Sequence, residues 1–504
     1  DTHAAMVFLA GARAYKVKRA VSYPYLDFGT LARRLAVCRA EIARNRRTAP
    51  ALYLGLCPIR RSADGALQFG DLIADPETED ALTGEDLIEV AVVMRRFDQD
   101  ALLSSVHARG GLTAARLDAL ADHVAAFHDA AEPVARDPVA GHRTEIADNT
   151  ADLRARTDVF DADAVADMDA RANAELDRIA PMLAERAADG TGRRCHGDLH
   201  LENIVLWDGR PTLFDGIEFN DALAEIDVLY DLAFLLMDLE QRGARAAANR
   251  VLNRYLGARD DIDGLAALPL QLSLRAAIRA KVGASALATL TDPDAQARQI
   301  ARIQGYFDAA RGYLRPAEAV LVAVGGVSGT GKTTVARALA PAIGVPPGAL
   351  VIRSDVERKR LFGVSETERL PESAYQGNAN ARVYAHMMDR ARRGLAAGRS
   401  VILEATFLRR EDRATVRKLA QSAGVPFAPV WLTAPAETLK QRVDARTADA
   451  SDATSEVVAA QLERAPKGDI PWSSVDAAGA VPEVVARVRD VLREAGIVLT
   501  ERGT

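Results

Sequence analysis

Lysine is scarce in this 504-residue sequence: there are eight, against 56 arginines. Arginine is thus the default cation, and a lysine marks a place where a compact ammonium is wanted. Lys16, Lys18, Lys332 and Lys359 all fall in or beside the motifs described below. Cysteine is scarcer still. Cys38, Cys57 and Cys195 are odd in number and lack metal-ligand spacing, which argues against a disulfide framework and fits a reducing cytoplasm. Aromatic residues make up only 5% of the chain, and no apolar run is long enough for a membrane span. The best, VLYDLAFLLMDL, is broken by Asp231 and Asp238. A net charge of −6 gives no broad footprint for nucleic acid, although a local patch stays open. The sequence opens on Asp1 rather than Met and has no signal-peptide pattern, so a trimmed N-terminus and a cytoplasmic, membrane-free location are expected.

What is present suits two or three globular domains: 49% hydrophobic and 27% charged residues. AMVFLAG and RAYKVKRAV alternate like strands, TLARRLAVCRAEIARNRR is helical, and EVAVVMRRF reads as another strand. Residues 112–188 are Ala-rich and helical, 190–220 read as loop, strand and loop, and helical character returns over 224–314. After Pro316 the pattern resets. The runs AVLVAVGGV, ALVIRSD, SVILEAT and FAPVWLTA are strands with helices between them, the signature of a doubly wound parallel sheet. The domain boundary is placed near 317, giving domains of 1–316 (lobes of about 1–98 and 99–316) and 317–504.

GVSGTGKT satisfies G-x-x-x-x-G-K-[ST] between a strand and a helix. Gly326, Gly329 and Gly331 let backbone N–H groups turn inward. Ser328, Thr330 and Thr334 complete the cradle, Lys332 is placed to reach phosphates and the Thr333 hydroxyl to ligate Mg²⁺. Asp355, at the end of the next strand, is a candidate base, and Arg358 lies one turn later. Glu404 ends a third strand, suited to orienting magnesium or water. Arg442 and Arg446 share a helix face, as a phosphoryl clamp or as a solvated charged face. Residues 318–500 resemble the P-loop small-molecule and polynucleotide 5′-kinases. The resemblance implies ATP, a base at Asp355, substrate contact at Arg358 and lid arginines at Arg442 and Arg446. Glu404 departs from the more usual Asp.

Upstream, HGDLHLEN places Asp198 five residues before Asn203, and the strand PTLF then delivers Asp215. Phosphoryl transfer in kinases uses this order: a carboxylate for the hydroxyl, then an amide oxygen and a second carboxylate for metal. Residues 1–315 resemble the aminoglycoside phosphotransferase and choline kinase branch of the protein-kinase-like fold, a bilobal domain. The resemblance implies Asp198 as base, Asn203 and Asp215 as magnesium ligands, and Asp231 as a brace of the catalytic loop. It also calls for a strand lysine, Lys18 ahead of Lys16, paired with Glu41. His196 and His200 read as structural, and Glu218 as an added metal or substrate contact. No G-x-G-x-x-G precedes the lysine strand, and Asp215-Gly216-Ile217 replaces D-F-G.

For the acceptor, a small-molecule hydroxyl (sugar, aminocyclitol or aminoglycoside-like) is expected, and the clues conflict. Asp221, Glu225 and Asp227 suit a polycation; Arg275 and Arg279, near Lys281, suit an anionic acceptor or form a solvated helix face. Three readings follow: a bifunctional kinase, whose second domain includes polynucleotide 5′-hydroxyl kinase as a narrower variant; a kinase with a regulatory nucleotide sensor; and a binding module without turnover.

Overall fold

The computed structural model describes residues 4–23, 26–75, 82–287, 290–445, 450–466, 468 and 470–500. The chain forms two compact units, 1–239 with 274–307 and 240–273 with 308–504. Compactness therefore divides the chain differently from the boundary near 317, because segment 240–273 packs within the second unit.

In the first unit five antiparallel strands lie in the order Ala5–Ala10, Arg13–Lys18, Leu87–Arg95, Tyr53–Arg61, Leu67–Phe69. Helix Leu31–Asn45 starts at Thr30, whose side chain accepts from the Arg33 N–H. Cys38, Glu41, Ile42 and Asn45 recur at helical spacing, so one face carries Cys38 and Ile42 into a core with Leu56, Val90 and Val92. Glu41 is buried on that same face. The strand Tyr53–Arg61 escapes the sequence pattern, since Gly55 and Pro58 interrupt it. The ladder is irregular at Tyr53/Gly55, and a Cβ on Gly55 (φ +155°) would lie 2.2 Å from the Ile73 carbonyl oxygen. The 112–188 stretch forms helices Ala114–Ala130, Pro138–Arg154 and Ala162–Ala188. The loop–strand–loop segment becomes a hairpin, Ile204–Trp207 with Arg210–Leu213.

The second unit has five parallel strands in the order Leu350–Arg353, Val401–Glu404, Leu321–Gly325, Phe427–Thr433, Ser473–Asp476. The fifth went unread because only Val475 in it is buried. The edge strand Leu350–Arg353 is covered by helix Arg245–Ala258: the Val351 N–H donates to Asn253 (2.7 Å), and Asn249 donates to the Ala349 carbonyl (3.0 Å). Arg393 binds Asp263 (2.9 Å), and Arg390 pairs with Asp260. No helix among the described residues is long and apolar enough to cross a membrane.

Candidate functional sites

In the first unit, backbone alternation puts Lys16 and Lys18 on one face of their strand, toward Glu41. Lys16 meets Glu41 Oε1 at 2.8 Å and Asp215 Oδ1 at 2.5 Å. Lys18 meets Glu41 Oε2 at 2.6 Å and Glu218 Oε1 at 2.5 Å. The single glutamate expected to pair with one lysine thus holds both. Burial opposes charge on Glu41, yet the two ammonium groups hold it down at about 2. For Lys18 burial is outweighed by Glu218 and Glu41, which raise it. Glu218 itself is raised, by burial. It is buried inside this ion cluster, paired with Lys18, rather than set on an open face.

Asp215 has φ +60°, a left-handed conformation that Asp tolerates, and its N–H donates to the Tyr53 hydroxyl. Phe214 N–H donates to the Asn203 carbonyl (3.0 Å), which brings Asp215 beside the loop carrying Asp198. Asn203 Nδ2 donates to Asp198 Oδ2 (2.8 Å), and His200 Nε2 lies 3.3 Å from the same oxygen. Because His200 Nδ1 accepts from the Glu202 N–H, the Nε2 carries the proton that faces Asp198. Burial would raise Asp198, but His200 first, then His196 and Arg279, hold it well below the ordinary carboxylate range. His200 is raised in turn by Asp198, against its own burial. No spacing rule in the sequence signals this contact between His200 and Asp198. His196 bonds the Phe214 carbonyl (2.9 Å). Asp231 accepts from the His196 and Gly197 N–H groups and from His128, bracing the loop from below.

The acceptor clues resolve differently. Asp221 binds Arg44 and Arg194, Glu225 binds Arg194, and Asp227 binds Arg186 through both oxygens at 2.9 Å. Lys281 pairs with Asp152. Arg275 is buried, its guanidinium carbon 3.8 Å from the Tyr230 ring centroid, so it is neither a solvated charge nor an open substrate contact. Arg279 is half-buried, packs over Tyr306, and is near enough to Asp198 to lower it.

In the second unit the strand order puts the glycine loop, Asp355 and Glu404 at the carboxyl edge of the sheet. They line a cavity of about 1430 Å³, together with Lys332, Thr333, Thr334, Arg358 and Arg442. Gly326, Gly329 and Gly331 have φ +139°, +89° and +85°. Cβ atoms on the first two would meet backbone oxygens at 2.6 Å, whereas the space beside Gly331 is open, as a phosphate cradle requires. Lys332 Nζ donates to the Val327 carbonyl (3.1 Å). The Thr333 hydroxyl donates to Glu404 Oε2 (2.9 Å), and Arg353, which the sequence reading passed over, bonds both. A hydroxyl beside a strand-end carboxylate is an oxygen pair suited to a hard cation. Burial and then Glu404 raise Asp355, with Arg353 and Lys332 opposing. Arg358 donates to Ala374 and Asn380 and stacks on Tyr375. Arg442 donates to the carbonyls of Ala477 and Ala478. Arg446 lies outside the described residues.

Residues 321–467 match the family model described as an AAA domain, and residues 66–268 that of the phosphotransferase enzyme family. An uncharacterized protein of Mycobacterium tuberculosis and one of Mycobacterium bovis are each 31% identical over 504 residues, covering 98% of this chain and 95% of theirs. Among solved structures, a gluconokinase from Sinorhizobium meliloti is 25% identical over 36% of this chain and 96% of its own, with a TM-score of 0.26. The APS kinase CysC of Mycobacterium tuberculosis is 22% identical over 35% and 99%, also with a TM-score of 0.26. The chain belongs to the same family as the two full-length mycobacterial proteins, one that joins a phosphotransferase-family kinase domain to a P-loop AAA-type domain.

Proposed function

We propose that the protein is a bifunctional kinase in which each unit transfers the γ-phosphoryl group of ATP to a hydroxyl of a small molecule. The observation that carries the reading is that each unit links a carboxylate to its own phosphate-binding groups: Asp198 bonds Asn203, whose carbonyl accepts from the residue before Asp215, the partner of Lys16, and Asp355 lines one cavity with Lys332 and Thr333. ATP supplies the phosphoryl group, and magnesium neutralises charge on it.

In the first unit Asp198 accepts the acceptor's hydroxyl proton while that oxygen bonds to the γ-phosphorus and the bond to the bridging oxygen of ADP breaks. Asn203 and His200 fix the carboxylate and keep it ionised. Lys16 is the phosphate lysine, because it reaches Asp215 and is the more open of the two; Lys18 is the buried counter-ion. Asn203 and Asp215 are the metal ligands. With Asp221, Glu225 and Asp227 consumed in ion pairs and Arg279 beside Asp198, a sugar or an acidic sugar derivative fits this unit better than a polycation. In the second unit Asp355 is the base, Thr333 and Glu404 hold the cation, and Arg358 meets the acceptor.

The test uses γ-labelled ATP with Mg²⁺ and a panel of sugars, aminocyclitols, aminoglycosides, nucleosides and 5′-hydroxyl oligonucleotides. Wild type is compared with Asp198→Ala and Lys332→Ala. Two products, each lost in one variant only, are expected. A single product, lost with Asp198 and merely slowed without Lys332, would make the P-loop unit a regulator instead. Labelled oligonucleotide would assign it to polynucleotides.

A further inference from the structure

Lys359 is almost completely buried, yet it is not part of the phosphate cradle. Its Nζ meets both oxygens of Asp452, at 2.9 and 2.7 Å, and the Glu368 carbonyl. Asp452 also accepts from the Tyr375 hydroxyl (2.5 Å) and the Leu370 N–H (3.0 Å). One carboxylate thus ties its own segment to two others, helix Ser354–Leu361 and the 368–376 stretch. Four donor contacts on a mostly buried carboxylate make it hard to move without moving its partners together.

Both ends of this node reach the reacting groups. The Tyr375 ring carries the Arg358 guanidinium 4.6 Å from its centroid, and Asn380, which receives Arg358, donates back to the Tyr375 carbonyl (2.6 Å). Ser451, next to Asp452, lines the same cavity as Asp355 and helps to hold that carboxyl down against its burial. Further along the same segment, Gln461 Oε1 accepts from the Ser328 N–H of the glycine loop (2.8 Å). Ser328, Asp355, Arg358, Tyr375, Asp452 and Gln461 line the same cavity.

We infer that Asp452 is a positioning residue that couples the nucleotide loop to the acceptor side of the P-loop cavity, with segment 450–461 as the connecting piece. This rests on the nucleotide reading of the second unit. The chemistry is mechanical. A ligand that draws on the Ser328 N–H competes with Gln461, and any shift of the segment is passed through Asp452 to Tyr375 and Leu370, hence to Arg358 and Asp355.

Hydrogen–deuterium exchange on the full chain tests it, with Mg·ADP as the probe. In wild type, Mg·ADP is expected to change exchange in 327–334 and also in 366–376. In Asp452→Asn the change in 327–334 persists, while the change in 366–376 shrinks by roughly tenfold in rate, the scale of one charge-assisted hydrogen bond. Tyr375→Phe, which keeps the Lys359–Asp452 pair intact, guards against mere misfolding and is expected to reduce the 366–376 response in the same direction. A merely structural Asp452 would alter ligand-free exchange and leave the nucleotide response whole. An unchanged 366–376 response in both variants overturns the coupling while leaving nucleotide binding in place. No response in 327–334 in wild type overturns the nucleotide reading and the coupling with it.

Discussion

Replacing each strand lysine with Met separates their roles in stability and turnover. Lys18 is 3% exposed, between Glu41 at 0% and Glu218 at 6%; Lys16 is 15% exposed and its partner Asp215 is 40% exposed. Removing Lys18 leaves one oxygen of Glu41 and all of Glu218 without a cation in a site that water cannot reach. Breaking such a pair costs about 3–5 kcal/mol. At about 2–4 °C per kcal/mol for a domain of this size, the unit should open roughly 6–20 °C lower. Removing Lys16 leaves Glu41 with Lys18 and Asp215 with solvent, so the cost falls to about 1–2 kcal/mol, while first-site turnover drops by about 10²-fold or more. The three cysteines report on this, since all are buried and all lie in the first unit, so pulsed thiol labelling across a thermal ramp reads that unit alone. The Lys18→Met deficit carries a pH signature. Glu218 is raised by burial and Lys18 opposes that rise, so without Lys18 it is raised further. A raised carboxylate gives up stability as pH rises through its folded value, so the deficit should grow as pH rises above the ordinary carboxylate range. If Lys18→Met opens like wild type and loses turnover, while Lys16→Met does the reverse, the assignment is inverted.

Three further outcomes are expected. Burial pushes Glu240 up from 4.5 to about 7 although Arg245 and Arg399 oppose it, so wild type should lose roughly 3 kcal/mol in the second unit relative to Glu240→Gln as pH rises across that window. Urea midpoints of both proteins at pH 5, 6, 7 and 8 measure it, and parallel pH profiles would refute it. His200→Gln removes the partner that most lowers Asp198, so the acid limb of first-site turnover should move up by about one pH unit or more; an unmoved limb denies the contact a role. A fragment beginning at residue 317 lacks Asn253 and Asp260 and exposes the edge strand Leu350–Arg353. It is expected to be less soluble by size-exclusion chromatography than one that also carries residues 240–273, and equal behaviour would make those contacts incidental.

The parts of the sites that could be read from sequence are those whose chemistry is carried by neighbours in the chain. A phosphate cradle is made of consecutive backbone amides, so GVSGTGKT announces itself in eight residues. Asp198 and Asn203 are five apart because one loop must aim both, and their hydrogen bond follows from that spacing. Glu404 and Asp355 were legible because a parallel sheet ends its strands at the site. Contacts set by packing leave no such trace. Lys359 and Asp452 are 93 residues apart, and neither flank hints at the other. Arg275 reads as a charge for solvent or substrate, yet its guanidinium lies on aromatic rings that only the folded helices bring to it.

The division of the chain shows the same limit on a larger scale. Motif order places one kinase-like set before residue 316 and the other after it, and nothing in the composition of 240–273 marks it as belonging with the second. What assigns it there is a geometric need. An edge strand exposes unpaired N–H groups, and Asn253 satisfies the one on Val351, two residues before Arg353, the residue that bonds both Thr333 and Glu404. The helix Arg245–Ala258 therefore supports the strand that delivers Arg353 and, two residues later, Asp355. A segment that a linear reading gives to the first domain thus steadies the candidate base of the second, so substitutions at Asn249 or Asn253 belong in any mutational account of the P-loop site.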